Sequence, residues 1–424
     1  MKKGIFKIFN FDSKVKKASD EAMAMCQDQI AHISEVEEFN QQKVLKAFID
    51  LGVSESHFGM TTGYGYDDRG REKLDEVFAQ IFGAEDALVR ANFVSGTHAL
   101  TTALFGVLRP GDKVLSVTGK LYDTIMGVVD SGNKDFGSLK DFNIDFDYID
   151  YDENEFDYYR KISEKLSENF KVVYIQRSRG YTLRNSLSVE KIRGIIGTIK
   201  KFAPDSIVMV DNCYGEFVEK IEPSEVGADL IVGSLIKNPG GGIAPTGGYI
   251  AGKKKYVEMC SYRLTAPGIG KEVGATLGVN RELFMGIFNA PHAVAEALKT
   301  AVFAAALFEM LGFEVYPKYS EIRHDIVQSI VLRSGEALVK FCQGIQSGSP
   351  IDSFVTPEPW NMPGYESQVV MAAGTFISGS SIELSADGPM REPYPVWVQG
   401  GTNFYASKIG ILKAAQKILF SGTI

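Results

Sequence analysis

Short hydrophobic runs alternate with helical patterns through the first two thirds of the chain. The runs occupy residues 87–89, 113–117, 172–175, 207–210 and 230–232. Between them, hydrophobic residues spaced three to four apart predict helices at 97–108 and 189–202. Strands that alternate with helices predict a largely parallel sheet covered on both faces. A further run at 248–251 follows a glycine-rich turn, which predicts one antiparallel neighbour in this sheet.

Other patterns describe the regions around this core. Residues 1–55 are predicted to form an N-terminal helical arm. Ser34 with Glu37 matches a capping box and predicts that a second helix begins there. Residues 57–70 carry four glycines and two tyrosines without periodicity, which predicts a loop. The acidic and tyrosine-rich stretch 141–160 predicts an edge strand and the start of a solvated helix.

The C-terminal third has a different pattern. A long helical region leads into predicted strands at 368–376 and 380–384 and a last helix at 404–419. We therefore predict a large α/β domain over residues 56–295 and a smaller α+β domain over residues 296–424, after the helical arm.

Composition narrows the class of protein. The chain has a net charge of −8, which argues against nucleic acid or an anionic membrane as partner. No hydrophobic run approaches the ~20 residues that a membrane span needs. Four separated cysteines fit reduced thiols in a cytoplasmic protein, and five scattered histidines argue against a metal site. The 43 glycines exceed the usual share and suggest places where backbone approaches something closely.

Chemistry-bearing residues follow the predicted strands at the sheet edge where α/β proteins bind ligands. Ser95, Gly96 and Thr97 open a helix and could bind a phosphate or simply cap the helix. Asp211 ends a buried strand and could pair with a cation or cap the next segment. Lys237 follows the next strand and could form a Schiff base, bind a phosphate or make a salt bridge.

The order of these segments is more specific than any one of them. A phosphate loop, a strand-end acid and a strand-end lysine preceded by Ser234 are the parts that pyridoxal 5'-phosphate requires. From about residue 55 onward, the chain resembles fold type I enzymes of the Cys/Met-metabolism group, which includes methionine γ-lyase and cystathionine lyases. Residues 381–393 resemble a bacterial branch described as methionine γ-lyase-like or aluminium resistance proteins.

The resemblance implies roles for the residues already singled out. Lys237 resembles the lysine that binds the cofactor covalently and moves the substrate's α-proton, and Asp211 resembles the partner of the pyridine nitrogen. The phosphate contacts would come from Ser95, Gly96, Thr97 and Ser234. Cys213 stands where relatives often have threonine.

Aromatic residues are implied at two further places. Tyr122 resembles the tyrosine that stacks on the cofactor ring and is predicted to be catalytic, with His98 as the rival. The 57–70 loop resembles the segment that reaches the phosphate of a neighbouring subunit. Its candidates are Tyr64, Tyr66 and Arg69.

Three arginines are candidates for the substrate. Arg391 is predicted to hold the substrate carboxylate, because arginine binds carboxylates through two hydrogen bonds. Arg177 and Arg179 close another strand, and they suggest a more acidic substrate.

The resemblance implies a pyridoxal-phosphate-dependent carbon–sulfur lyase that acts by α,β- or α,γ-elimination on a methionine- or cystathionine-like amino acid. An aminotransferase, an aldolase or a racemase with the same cofactor, and a non-enzymatic α/β stress or binding protein, are the alternatives. The expected assembly is a homodimer or a dimer of dimers with shared active sites.

Overall fold

The computed structural model describes residues 8–132, 135–362 and 367–420, and the chain divides into two compact units. The first unit comprises Phe39–Gly180 and Ser186–Ala290. The second comprises Met1–Glu38, Tyr181–Asn185 and Pro291–Ile424. The predicted arm at 1–55 is thus shared between the two units, and its residues 1–7 lie outside the described part of the chain. The later boundary falls at residue 290, five residues before the predicted one.

The secondary structure of the described residues is numbered in chain order. The strands are β1 (Asp86–Arg90), β2 (Lys113–Ser116), β3 (Asp145–Tyr148), β4 (Val172–Gln176), β5 (Ile207–Asp211), β6 (Leu230–Ser234), β7 (Gly248–Gly252), β8 (Glu314–Tyr316), β9 (Gln328–Val331), β10 (Val369–Ala372), β11 (Ser385–Pro389) and β12 (Pro395–Gln399). The α-helices are α1 (Ser13–Met25), α2 (Gln27–Asp50), α3 (Arg69–Ile81), α4 (Gly96–Val107), α5 (Asp123–Val129), α6 (Glu155–Lys165), α7 (Val189–Phe202), α8 (Lys254–Leu264), α9 (Asn280–Met310), α10 (Gly335–Ser347) and α11 (Phe404–Leu419).

The first unit is built on a seven-stranded sheet in the order β1-β7-β6-β5-β4-β2-β3. Neighbouring strands from β6 to β3 are parallel, whereas β7 is antiparallel to both β6 and β1. The predicted fold class is confirmed, including the single antiparallel run and the edge strand in the acidic stretch. Parallel strands need helical crossovers, which explains the alternation in the sequence.

Both faces of this sheet are covered. On one face, Val172 and Tyr174 of β4 belong to a core cluster that also contains residues of α4, α5 and α8. The alternate β4 residues, Val173 and Ile175, point to the other face and are also fully buried. Strands buried on both sides read as continuous hydrophobic runs, which is the pattern seen in the sequence.

The second unit contains an antiparallel sheet in the order β10-β11-β12-β9-β8. Helix α10 packs against β10 and β11 and against helix α11. The predicted mixture of strands and a last helix is confirmed for this unit. The predicted strand at 380–384 is wrong, because the chain turns there and the strand begins at Ser385.

The predicted helix start at Ser34 is also wrong. Helix α2 runs through this position, and the break between α1 and α2 falls at Cys26. The local capping pattern is overridden because Ile33 and Val36 are buried on the same helix, so packing favours an unbroken helix. Among the described helices, none is long and apolar enough to cross a membrane.

A buried ion pair joins α3 to β1 in the first unit. The Asp75 carboxylate accepts hydrogen bonds of 2.7 Å from the Arg90 guanidinium and from the backbone N–H of Val89. Both side chains are less than 10% exposed. Removing one partner leaves an uncompensated charge in the interior.

We therefore expect Asp75→Ala to lower the free energy of unfolding by about 3–5 kcal/mol. The matched control is Glu76→Ala, which removes an exposed carboxylate from the next position on α3 and changes stability by about 0.5 kcal/mol or less. Urea denaturation of the two variants measures the difference. Equal losses would show that the buried pair contributes no more than a surface charge.

Candidate active site

The candidate site lies where parallel strands β4, β5 and β6 end. In the sheet register, Gln176 at the end of β4 pairs with Asp211 at the end of β5. Asp211 in turn pairs with Val232 of β6, the strand that ends at Ser234 and leads to Lys237. Asp211 and Lys237 therefore lie at one edge of the sheet, as expected from their spacing along the chain.

The N-terminus of α4 faces the same place. Ser95 caps this helix, and its Oγ accepts a 3.0 Å hydrogen bond from the His98 N–H. The backbone N–H groups of Gly96 and Thr97 lie in the first turn, where a helix offers no internal acceptor. A Cβ on Gly96 would lie 3.2 Å from Ser234 Cβ, so glycine lets the two segments approach closely. This geometry suits an anion.

These segments surround a cavity of about 210 Å³. Lys237 and Asp211 lie in its wall together with the first turn of α4. The lining residues are Ser95, Gly96, Thr97, Leu100, Tyr122, Thr124, Ile125, Gln176, Ser178, Gly180, Asp211, Cys213, Tyr214, Ser234, Ile236 and Lys237.

The acid and the lysine perturb each other. Burial raises the pKa of Asp211, and although Lys237 and the Cys213 N–H counter this effect, the net direction is upward. Tyr174 donates a 3.3 Å hydrogen bond to the same carboxyl group. A buried carboxyl whose pKa is raised is suited to pair with a cation that enters the cavity.

The lysine is surrounded by acidic groups. Burial by itself lowers the pKa of Lys237, but neighbouring groups outweigh burial and raise it above its ordinary value. These groups belong to Cys213, Tyr214, Asp211 and Glu216. Without a cofactor, the amine is therefore held as an ammonium ion inside the cavity.

The structure separates the two candidates for a stacking residue. Tyr122 lines the cavity, and its backbone N–H donates a 2.9 Å hydrogen bond to Gln176. The His98 ring lies against Phe93 and accepts a hydrogen bond from the Val94 N–H, and it is not among the lining residues. Tyr122 is thus the candidate that the cavity favours.

The predicted arginines occupy different surroundings. Arg177 is fully buried outside the cavity lining, and its guanidinium contacts Glu219, Glu222 and Asn212. These contacts favour an internal role over the predicted role in substrate binding. Arg179 is also buried. Arg391 is exposed at the turn between β11 and β12 in the second unit, and its predicted contact with a substrate carboxylate stays a prediction.

The predicted loop at 57–70 carries its candidates on the surface. Tyr64 is 71% exposed and Tyr66 is 63% exposed, and their ring centroids are 5.4 Å apart. Arg69 is exposed in the first turn of α3 and so lies on a helix rather than in the loop. None of the three lines the cavity of its own chain.

Two further residues near Lys237 were not predicted from the sequence. The Tyr214 ring centroid lies 4.0 Å from Lys237 Nζ. Glu216 is fully buried, and its Oε1 accepts a 2.8 Å hydrogen bond from Tyr249. Their position only three and five residues after Asp211 was the available signal. Neither residue type is diagnostic on a loop, so only the fold reveals them.

Solved structures assign the fold to the class of pyridoxal-phosphate-dependent fold type I enzymes, as predicted. One example is the pyridoxal-5'-phosphate-dependent protein YhfS from Escherichia coli, with a TM-score of 0.61 at 15% identity over 91% of this chain and 97% of that one. At this identity the likeness concerns the fold alone. A family model described as methionine gamma-lyase matches residues 15–419, and the chain belongs to this family.

More similar proteins cover nearly the whole chain. "Uncharacterized protein YnbB" of Bacillus subtilis (strain 168) is 50% identical over 388 residues, which are 91% of this chain and 92% of that protein. A carbon-sulfur lyase involved in aluminum resistance from Clostridium novyi NT has a TM-score of 0.93 and 51% identity, covering 97% and 98% of the two chains. A protein from Clostridium acetobutylicum, named as a proposed cystathionine beta-lyase involved in aluminum resistance, has a TM-score of 0.94 and 47% identity, covering 98% of each chain.

The residues of the cavity fit pyridoxal phosphate, which the family and fold imply. Lys237 would supply an amine for the aldehyde, and Asp211 would supply a carboxylate for the ring nitrogen. The first-turn N–H groups of α4 and the hydroxyls of Ser95 and Ser234, which line the same cavity, would hold the phosphate.

Because Glu216 is buried, we expect the free energy of unfolding of the protein to depend on pH. Burial raises its pKa to about 8, far above the ordinary value of 4.5 for glutamate. The folded state therefore binds a proton that the unfolded state releases, and stability falls as pH rises from about 5 to 8.

We expect Glu216→Gln, which mimics the protonated side chain, to reduce this fall by a few kcal/mol, on the order set by the shift in pKa. Urea denaturation of wild type and variant at pH 5, 6.5 and 8 measures it. The difference in unfolding free energy should grow in favour of the variant as pH rises. A constant difference over this range would contradict a protonated Glu216.

Proposed function

We propose that this protein is a pyridoxal-phosphate-dependent carbon–sulfur lyase. The observation that carries the proposal is the convergence of Lys237, Asp211 and the N-terminus of α4 on one cavity. Membership of the methionine gamma-lyase family supports a reaction at a carbon–sulfur bond. The name of the similar Clostridium novyi NT protein, a carbon-sulfur lyase, supports the same reaction class.

Each residue contributes a distinct part of the chemistry. Pyridoxal phosphate, when bound, accepts the electron pair left at the α carbon of an amino acid. Asp211 would pair with the ring nitrogen and keep it protonated. Lys237 takes the α-proton as general base, because its amine lies in the same cavity. Tyr122 would cover the ring, and the first turn of α4 would hold the phosphate.

The substrate is proposed to be a sulfur-containing amino acid of the methionine or cystathionine type. Elimination, followed by hydrolysis with one water molecule, then releases a thiol together with ammonia and a 2-keto acid. α,β-Elimination breaks the bond at Cβ, and α,γ-elimination breaks it at Cγ. The two differ in the keto acid that is released, so product analysis separates them.

The first test removes the lysine. Lys237→Ala should lower release of thiol and keto acid from methionine or cystathionine by more than about a thousand-fold, because both the covalent attachment and the base are lost. After borohydride reduction, cofactor absorbance should stay with denatured wild type and be lost from the variant. Lys120→Ala is the control, since it removes an exposed lysine near Tyr122. Retained absorbance in Lys237→Ala would refute the assignment.

We also propose that the active sites are shared between two subunits. Tyr64 and Tyr66 lie against each other on the surface, Arg69 is exposed shortly after them in the chain, and none of the three lines the cavity of its own chain. Such residues are suited to reach the phosphate site of a second copy, since arginine binds phosphate through paired hydrogen bonds.

Mixing of inactive subunits tests this sharing. Arg69→Ala and Lys237→Ala chains, refolded together at equal amounts, should regain roughly a quarter of wild-type activity, because half of the dimers carry one intact site. If each site belongs to one chain, the mixture should be no more active than its components. Lys237→Ala mixed with a chain carrying both substitutions is the control, and it should regain nothing.

A further inference from the structure

The segment after β5, residues 212–222, holds two aromatic residues in the left-handed region of backbone conformation. The φ angle is +73° at Tyr214 and +62° at Phe217. Bulky side chains rarely adopt this region, and they persist there only where the surrounding structure imposes it. Such a conformation at a cavity wall points to a functional constraint on the side chain.

Arg177 contacts both ends of the 212–222 segment. Its guanidinium donates hydrogen bonds of 2.8 Å to Asn212 and 2.9 Å to Glu219, and it lies 3.4 Å from a Glu222 oxygen. A Cβ on Gly215 would lie only 2.4 Å from Arg177 Cδ. The charged network therefore fixes both ends of the segment, and the middle must pass tightly over the arginine.

The 212–222 segment brings Tyr214 into close contact with the amine of Lys237. The Tyr214 ring lies 4.0 Å from Lys237 Nζ, well within the ~6 Å range of cation–π attraction. The other titratable groups around the amine are Asp211, at the end of β5, and Cys213 and Glu216, on the same segment as Tyr214. Tyr122, just before α5, lines the same cavity.

We propose that Tyr214 is a positioning residue for Lys237, whose aromatic face holds the lysine in place while the amine carries a proton. This inference rests on the proposed function. During α,β-elimination the Cα–H bond breaks and its proton moves to Nζ, while its electron pair forms the Cα–Cβ double bond as the Cβ–S bond breaks and sulfur leaves with that bond's electrons. The ring then stabilises the ammonium until Nζ returns the proton to the leaving sulfur.

The test measures the reactivity of the Lys237 amine in the absence of substrate. The full chain, freed of cofactor by hydroxylamine, is labelled at fixed pH with formaldehyde and cyanoborohydride, or with trinitrobenzenesulfonate. Peptide mass spectrometry then follows modification at Lys237. Tyr214→Leu should label about tenfold faster with both reagents, because loss of the ring lowers the pKa of the amine by about one unit. Tyr214→Phe keeps the ring and should label like wild type.

The two reagents differ in size, so easier access to Lys237 would change their labelling rates by unequal factors. A change in the pKa of the amine would change both rates by the same factor. Unchanged labelling in Tyr214→Leu, unequal factors, or an equal increase in Tyr214→Phe would overturn the inference. Should Tyr214→Leu fail to fold, Tyr214→Gly removes the ring and accepts the positive φ.

Steady-state kinetics add a second measurement. The rise of kcat with pH, which reports the free amine, should shift by about one unit toward lower pH in Tyr214→Leu and stay in place in Tyr214→Phe. The labelling result does not require any lyase activity. A failure of the proposed reaction is therefore distinguishable from a failure of the contact between Tyr214 and Lys237.

Discussion

The hydrogen-bond register of β4, β5 and β6 is the constraint on which the site depends. Parallel pairing places Gln176 opposite Asp211, and Asp211 opposite Val232, two residues before the end of β6. A shift by one residue would turn every side chain of a strand to the other face. Packing on both faces of the sheet therefore fixes the register of the strands. The register in turn fixes the position of Asp211 at the cavity.

The second requirement is that buried charges at the site are compensated. The structure compensates them in two places. Directly at the cavity, Asp211 and Lys237 offset each other. Below it, the fully buried Arg177 is neutralised by Glu219 and Glu222. A guanidinium so enclosed is costly unless paired, and both acids belong to the segment that carries Tyr214. The same ion pairs therefore balance the interior charge and shape the wall of the site.

The sequence predicts the parts of this molecule that local pattern determines. The strands and helices of the first unit follow from hydrophobic periodicity. Asp211 follows from its place at the end of a buried strand, and Lys237 from its place shortly after one. The helix break at Cys26 and the start of β11 depend on packing that no local motif encodes. Arg177 shows the same limit, because its position after a strand suggested a ligand contact, whereas its partners come from a segment more than thirty residues away.

The excess of glycine now has a physical explanation at the site. A Cβ on Gly233 would lie 2.5 Å from a Glu216 oxygen, and one on Gly215 would overlap Arg177. Gly215 and Gly233 thus let the backbone approach bulky polar side chains, and Gly96 lets the first turn of α4 approach Ser234. Glycine there is required by what stands beside the backbone, since Gly233 lies within a regular strand. At these three positions glycine is therefore explained by close approach of the backbone to a neighbouring residue, since none of them has a positive φ angle.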